Sequence, residues 1–436
     1  MDIDDMILVS VDDHVIEPPH MFEGRVPAKY ADVAPKLTTR PDGTMAWVYD
    51  GKEIPNIALN AVAGRPKDEL NYEPTTFDEL RPGCYDIHSR IRDMDANGVV
   101  GSMAFPSFVR FCGQIFLHTK DRDQARAKVR AYNDWHIDEW CGTYPGRHLP
   151  LALPMLWDPE ATAEEVRRVA GKGCHALTFS ASPFALGEPS IHTDYWDPVW
   201  AACVETGTVP CMHLGSSSTQ PVTSPDAAIE VLHTLSPIGL FSTAADLVWS
   251  PIFLKFPDLK IALSEGGIGW IPYFLDRIDD VYSYTRPFTH TDLGGRQPSE
   301  IFNEHVIVCF VKDPSGVEMR HHMNIDNITW ECDYPHSTTT WPNAPEEVWK
   351  YFDGVPDEQI DKITHLNAMR NFRYDPFAHI PREEATVGAR RRAAKGWDVT
   401  PKSKGRPKPA GGPREKITIG NSGSMNRSGT TKMLDE

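Results

Sequence analysis

The sequence of 436 residues predicts an α/β fold, a (β/α)8 TIM barrel with an insertion after the first strand and a disordered C-terminal tail. Eight short apolar runs with strand character recur along the chain, and segments with helical spacing or helix-start signals separate them. The runs are residues 6–12, 99–105, 149–156, 174–180, 208–213, 259–264, 305–311 and 327–332. This alternation predicts parallel strands joined by helices, and eight repeats favour a closed barrel over an open sheet.

Two of the connecting helices have clear sequence signals. Ile87, Ile91 and Met94 have the i, i+4, i+7 spacing of a helix that buries one face. Asp158 followed by Pro159 is typical of a helix start, with the aspartate as N-cap and the proline in the first turn. We therefore expect helices before the second run and before the fourth run.

Two segments do not fit the repeating pattern. The segment from about 21 to 81 is too long for an ordinary strand-to-helix loop, and its aromatic residues predict a structured insertion over the barrel mouth. These are Trp47, Tyr49, Tyr72 and Phe77. From Arg382 onward there are 13 Lys/Arg and 6 Asp/Glu with many Pro, Gly and Ser residues, a composition typical of disorder. We therefore assign 1–382 to the barrel and 383–436 to a basic tail, whose deletion is expected to leave activity intact.

The composition excludes several classes of protein. With 40% hydrophobic residues the chain can build a large core, and a net charge of −17 argues against nucleic-acid and anionic-membrane partners. No apolar run approaches the roughly 20 residues that span a bilayer. The eight cysteines include no C-x-x-C pair, and the N-terminus is acidic. We expect a cytoplasmic protein with reduced thiols and a small-molecule partner.

Ionisable residues follow four of the predicted strands. In barrels of this kind the active site forms at the carboxyl ends of the strands. Taken singly, each such residue is more often a turn-former or a helix cap. Together they are what a catalytic metal ion requires, because its ligands come from distant parts of the chain. The residues are Asp12, Asp13, His14, Glu17, His213, Glu265, Asp333 and His336.

The same residues carry a resemblance to a known family. Asp-Asp-His at 12–14, His-Leu-Gly at 213–215, Glu-Gly-Gly-Ile-Gly-Trp-Ile-Pro at 265–272 and Cys-Asp-Tyr-Pro-His at 332–336 resemble motifs of the amidohydrolase-related metal-dependent hydrolases (amidohydrolase 2). Within that family the chain is most similar to the branch of aminocarboxymuconate-semialdehyde decarboxylase and the resorcylate-type decarboxylases. The resemblance extends from about residue 7 to 380.

The resemblance implies a single-metal site. It places the metal ligands at Asp12, His14, His213 and Asp333, and a set of two carboxylates and two imidazoles suits one divalent ion, Zn or Mn. It also implies a small carboxylate substrate and a homodimer.

The sequence departs from the family pattern at two positions. Where many relatives have a histidine after the sixth strand, this chain has Ser264, and the adjacent Glu265 is a candidate general acid or base or an additional ligand. The second histidine of the first motif is replaced by Ile16, and Glu17 is a candidate additional ligand or a support behind the ligands.

Two further residues are candidates for substrate contacts. His336 either orients Asp333, donates to the substrate or is an ordinary loop histidine. Arg110 either pairs with a substrate carboxylate or forms a surface salt bridge.

These observations lead to three hypotheses of function. The first is a metal-dependent decarboxylase of a small cyclic or aromatic carboxylic acid, with Asp333 as the proton source. The second is a metal-dependent hydrolase, in which Asp333 or Glu265 takes a proton from metal-bound water. The third is a non-catalytic binding protein stabilised by a metal ion.

Overall fold

The computed structural model describes residues 1–71, 73–404 and 416–420. Within them, eight parallel strands form the barrel and three antiparallel strands form a small separate sheet. In chain order the strands are β1 (Leu8–Val15), β2 (Lys36–Thr39), β3 (Met45–Tyr49), β4 (Lys52–Ile54), β5 (Val99–Pro106), β6 (His148–Leu149), β7 (Ala176–Phe179), β8 (Val209–His213), β9 (Ile261–Ser264), β10 (Val306–Phe310) and β11 (Ile328–Trp330).

The barrel closes from two arcs of strands. One arc has the order β1-β5-β6 and the other the order β7-β8-β9-β10-β11. A parallel bridge between Ala152 and Leu177 joins them on one side. On the other side the Asp333 N–H donates to the Asp12 carbonyl (2.9 Å) and the His14 N–H donates to the Tyr334 carbonyl (2.6 Å). The predicted TIM barrel is thus confirmed, and each of the eight predicted runs overlaps a barrel strand, although the third run shares only Leu149 with β6.

Helices cover the outside of the barrel. The α-helices among the described residues are α1 (Ile87–Ala96), α2 (Arg122–Asp134), α3 (Pro159–Ala170), α4 (Asp197–Thr206), α5 (Ile229–Leu235), α6 (Ile238–Trp249), α7 (Ile252–Lys255), α8 (Ile271–Thr289), α9 (Pro298–His305), α10 (Pro314–Glu318), α11 (Ala344–Trp349), α12 (Asp357–Asp361), α13 (Asn367–Asn371) and α14 (Val387–Ala393). The Asp158 carboxylate accepts from the Ala161 N–H (2.9 Å) at the start of α3, as the sequence predicts.

One helical run corrects the expectation that no apolar stretch approaches the length of a membrane span. The run Ile229–Trp249 covers 21 residues and is apolar enough by composition to cross a bilayer. Its face with Leu240, Ala244 and Leu247 is fully buried in the core, while 33% of its apolar stretch as a whole is buried. A core helix of a soluble protein meets the same criterion of length and composition. The run is therefore weak evidence for a membrane protein.

The segment after β1 is a structured insertion. Strands β2, β3 and β4 form its antiparallel sheet, and Trp47 stacks on Phe108 with ring centroids 4.2 Å apart. The N–H groups of Val62 and Ala63 both donate to the Pro335 carbonyl (2.9 Å each), so the insertion is attached to the loop after β11. Tyr72 lies outside the described residues.

The start of the predicted disordered tail needs correction, because residues 383–404 fold against the barrel. Val387 at the start of α14 is fully buried, and its N–H donates to the Met6 carbonyl (2.8 Å). The Trp397 indole donates to the Asp93 carboxylate (2.7 Å). The average composition of the segment hides these few apolar anchors. Residues 405–415 and 421–436, which belong to the same prediction, lie outside the described residues.

Candidate metal centre and active site

A bulge in β1 directs the first two candidate ligands into the barrel. Val9 and Val11 pack in the apolar cluster that fills the lower barrel, so strict alternation would direct Asp13 inward as well. The pairing register with β5 shifts by one residue between Ser10 and Asp13. The extra residue reverses which side chains point inward from this position onward. Asp12 and His14 therefore point toward the other candidate ligands at the barrel mouth.

The structure brings the four predicted ligands together. The His14 Nε2 atom lies 3.5 Å from Asp12 Oδ1 and 3.3 Å from Asp333 Oδ1, and the His213 Nε2 atom lies 3.4 Å from Asp12 Oδ2. All four side chains are fully buried. Two overlapping sets, Asp12/His14/His213 and His14/Asp333/His336, each have their ligand atoms within 4.8 Å of one another.

The hydrogen bonding of these residues fits a bound cation. Both carboxylate oxygens of Asp12 and the Nε2 atoms of His14 and His213 are buried without a hydrogen-bond partner among the described residues. Burial, reinforced by the charge of Asp333, raises the pKa of Asp12 well above its usual value, and burial lowers that of His14. Buried groups of this kind are costly unless something pairs with them. A divalent ion would satisfy two carboxylates and two neutral imidazoles at once.

The tautomer of His213 is set by a neighbouring carbonyl. Its Nδ1 atom lies 2.5 Å from the Leu214 carbonyl oxygen, so Nδ1 carries the proton and Nε2 is left as a ligand atom. The Phe111 ring stacks on the imidazole with centroids 4.1 Å apart and 12° between the planes. The ligand is therefore held in one orientation.

Asp333 and Glu265 both adopt positive φ angles, 57° and 65°, which residues other than glycine rarely adopt. The Glu265 carboxylate lies 3.6 Å from His213 Nε2 and keeps 23% of its side-chain surface exposed. Burial, aided by the Asp333 charge, raises the pKa of Glu265 to about 8. Burial alone would also raise the pKa of Asp333, but His336 and His14 outweigh it and hold that pKa below its usual value.

His336 contacts both a candidate ligand and the cavity. Its Nδ1 atom lies 2.8 Å from Asp333 Oδ1, and its ring stacks on His14 with centroids 3.7 Å apart. Burial lowers the pKa of His336, but the Asp333 carboxylate outweighs this and raises it to about 9. Of the alternatives for His336, the structure favours orientation of Asp333, and its place on the cavity wall also allows substrate contact.

Glu17 faces a loop and lies outside both candidate ligand sets. Its carboxylate accepts from the N–H groups of Ser107 (3.1 Å) and Phe108 (2.7 Å), and from that of Val109 at a longer 3.5 Å. The alternative of Glu17 as an additional metal ligand is corrected accordingly, and its other predicted role, support behind the site, fits this position. The loop that it holds leads directly to Arg110, which lines the cavity.

Sequence reasoning missed Glu331 as a site residue. Glu331 is fully buried, lines the cavity and accepts the Cys309 thiol at 2.6 Å and the Glu265 N–H at 3.2 Å through Oε2. A signal was present, because Glu331 precedes Asp333 by two residues and so falls on the same face of an extended chain. Phe111 was missed as well, and nothing in its local sequence indicates a contact with His213.

A cavity of about 880 Å³ opens above the metal group. Its floor includes Glu265, Glu331 and His336, and its wall includes Arg110 and Lys312. The insertion contributes part of the wall. The candidate acid and a cationic wall thus share one cavity, and the candidate ligands lie directly behind Glu265 and His336 at the carboxyl ends of the strands.

Comparisons with known proteins identify relatives in sequence and in fold. The chain is 26% identical over 337 residues to γ-resorcylate decarboxylase from Rhizobium sp. (strain MTP-10005), covering 71% of this chain and 94% of the relative. A solved amidohydrolase from Mycobacterium avium subsp. paratuberculosis K-10 superposes with a TM-score of 0.63 at 20% identity over 84% of this chain and 99% of that one. The 5-carboxyvanillate decarboxylase from Novosphingobium aromaticivorans DSM 12444, solved with manganese and 4-hydroxy-3-methoxy-5-nitrobenzoic acid, gives a TM-score of 0.55 at 18% identity over 86% and 99%.

A family model also matches the sequence of this chain. The model of the Amidohydro_2 family, described as amidohydrolase, matches residues 46–374, which is most of the barrel. The chain therefore belongs to the amidohydrolase 2 family.

Proposed function

We propose that the protein is a metal-dependent decarboxylase of aromatic carboxylic acids. The observation that carries this proposal is the set of four buried, converging ligand side chains directly behind Glu265 and His336, which line a cavity with cationic groups in its wall. The similarity to γ-resorcylate decarboxylase over nearly the full length of that enzyme supports the choice of reaction.

Asp12, His14, His213 and Asp333 would hold one divalent ion, zinc or manganese. When bound, such an ion supplies positive charge that attracts and orients an anionic substrate. The Arg110 guanidinium adds a cation in the cavity wall that can pair with a carboxylate. Substrate is thereby oriented with its carboxylate end at the strand ends.

We assign the proton transfer to Glu265 in preference to Asp333. The Glu265 carboxyl keeps its proton to higher pH, whereas His336 and His14 hold Asp333 ionised. The Glu265 carboxyl donates its proton to the ring carbon that bears the carboxylate. The bond between that carbon and the carboxylate then breaks, its electron pair returns to the ring, and carbon dioxide leaves. Glu265 regains a proton from solvent.

The test is release of carbon dioxide from hydroxybenzoates. Protein purified with added manganese is incubated with 2,6-dihydroxybenzoate and related acids, beside a panel of esters, lactones and amides. Carbon dioxide release in wild type and its loss in Glu265→Gln is the expected result. Hydrolysis of the panel without release of carbon dioxide would contradict the proposal and support the hydrolase alternative.

We further propose a cytoplasmic homodimer. Large apolar side chains remain exposed in the single chain, including Phe184 at 73%, Phe288 at 68% and Tyr273 at 66%, and such side chains are often covered by a partner. The eight cysteines are all buried and free, as expected in a reducing compartment. Light scattering after gel filtration tests the dimer, and cell fractionation tests the location.

A further inference from the structure

The cavity is much larger than a one-ring acid requires. Its volume is about 880 Å³, whereas about 150 Å³ is enough to enclose benzene. It falls in the upper part of the range of about 300–1,000 Å³ that encloses drug-sized ligands. A one-ring acid held at the strand ends would leave most of this space to water.

The wall away from the strand ends is rich in aliphatic side chains. The strand ends contribute the ionisable Glu265, Glu331 and His336. The insertion, the loop after β5, the loop after β7 and helix α5 contribute a different set. Its aliphatic members are Ile54, Leu59, Ile115, Leu117, Ala185, Leu186 and Leu232, and they lie beside polar lining residues that include Asp50, Lys52, Asn60, His118 and His233.

Two polar side chains in the same wall are already hydrogen-bonded within the protein. The Tyr49 hydroxyl is bonded to Thr119, and the Gln114 amide donates to the Ser216 carbonyl (2.9 Å) and accepts from the Cys112 N–H (2.9 Å). Because their hydrogen bonds are made, these groups do not require a polar substrate group beside them.

We propose that the substrate is an aromatic carboxylate with a bulky apolar substituent, an alkyl chain or a second ring, which lies along the aliphatic wall. The inference rests on the proposed function, since it assumes that the carboxylate end is held at the strand ends. Burial of apolar substrate surface in this part of the cavity then contributes to both binding and specificity.

The experiment uses 2,6-dihydroxybenzoate and its 4-alkyl derivatives from methyl to heptyl. Affinity is measured by calorimetry and kcat/KM by carbon dioxide release, both with the manganese-loaded protein. Each added methylene is expected to strengthen binding up to about fourfold, the factor that corresponds to about 0.8 kcal/mol. Affinity that is flat or falls along the series would overturn the inference.

Variants locate the effect in the wall. Leu232→Trp, and Ile115→Phe as a second variant at a half-buried position, are expected to weaken binding of the heptyl derivative at least tenfold more than that of the unsubstituted acid. Ile238→Phe is the control, because Ile238 is 45% exposed and is not part of the cavity lining. An equal effect in the control would contradict the assignment.

The two measurements separate this inference from the proposed function. Affinity that rises along the series without any carbon dioxide release would refute the decarboxylase and leave the apolar subsite in place. Carbon dioxide release with affinity that stays flat along the series would support the decarboxylase and refute the apolar subsite. Absence of binding for every member would refute both.

Discussion

Asp333 and Glu265 are neighbouring carboxyl groups whose surroundings drive their protonation in opposite directions. The imidazoles of His14 and His336 favour the ionised form of Asp333, while burial and the negative charge of Asp333 favour the protonated form of Glu265. Such opposite shifts allow the two carboxyl groups to take different roles: Asp333 serves as a metal ligand and Glu265 as an acid.

Substitution of each carboxyl group is expected to have a different outcome. Asp333→Asn should lose both the metal and turnover while its circular dichroism stays native. Glu265→Gln should keep the metal and lose about 10²–10⁴-fold in kcat, the usual contribution of a positioned acid. Metal analysis beside carbon dioxide release checks both, and normal turnover in Glu265→Gln would contradict its role.

The pH profile should report the same acid. Since Glu265 acts in its protonated form, activity falls as pH rises through its pKa of about 8. A bound cation favours the carboxylate, so this alkaline limb lies no higher than about pH 8 in the metal-loaded enzyme. This fall in activity at alkaline pH should be absent from the residual activity of Glu265→Gln. If the fall is unchanged in that variant, it reports the titration of another group.

At the scale of elements, Glu17 connects the first strand to the loop that carries Arg110. Glu17→Gln keeps the size of the side chain but removes the charged acceptor of the 107–109 amides. We expect KM to rise about tenfold with metal content unchanged, because the loop and Arg110 shift while the ligands do not. Loss of metal in Glu17→Gln would instead restore Glu17 as a ligand.

Helix α2 and the insertion meet at an unusual buried lysine. Lys128 is fully buried, its Nζ atom has no hydrogen-bond partner among the described residues, and it lies 4.3 Å from the centroid of the Tyr49 ring. Burial lowers the pKa of Lys128 to about 8, so the charged form is disfavoured in the native state. The unfolded chain binds more protons between about pH 8 and the usual value of 10.5, and stability should rise across that window.

Lys128→Met should therefore stabilise the protein at pH 7. Methionine fills a similar volume without a charge, and a gain of about 1–3 kcal/mol is expected from removal of an unpaired buried cation. Chemical denaturation at pH 7 and pH 10 measures it, with the exposed Lys350 as the matched control through Lys350→Met. A gain that is equal at both pH values would contradict the electrostatic explanation.

The elements differ in how well the sequence predicts them. Strands and capped helices such as α3 follow from local pattern, because apolar alternation and the Asp158 cap act over a few residues. The inward direction of Asp12 and His14 depends on a bulge in β1, which local alternation does not contain. The role of Glu17 and the contact of Phe111 with His213 arise from tertiary packing. These could not be read from residue spacing alone.

At the scale of the whole molecule, the C-terminal segment is part of the folded barrel protein. Residues 383–404 bury Ala385 and Val387, and the Ile419 N–H donates to the Ala227 carbonyl (2.9 Å) just before the cavity-lining helix α5. The expectation that residues 383–436 can be deleted without effect rests on average composition. An average over the segment does not show the few apolar residues, such as Ala385 and Val387, that pack against the barrel.

Truncation tests this placement. A chain that ends at Pro381 should lose several degrees in Tm and part of its activity, because buried side chains and the Trp397 contact with Asp93 are removed. A chain that ends at Gly420 keeps every described contact and serves as the control. Equal Tm values for both truncated chains would show that the segment contributes nothing to stability.

The most direct test of the metal centre is metal content by plasma mass spectrometry on untagged, dialysed protein. Wild type is compared with His213→Ala, and with His175→Ala as a control histidine that lies outside both candidate ligand sets. The structure predicts about one equivalent of zinc or manganese in wild type and in the control, and its loss in His213→Ala. Wild type that stays empty after reconstitution, or His213→Ala that keeps its metal, would contradict the site.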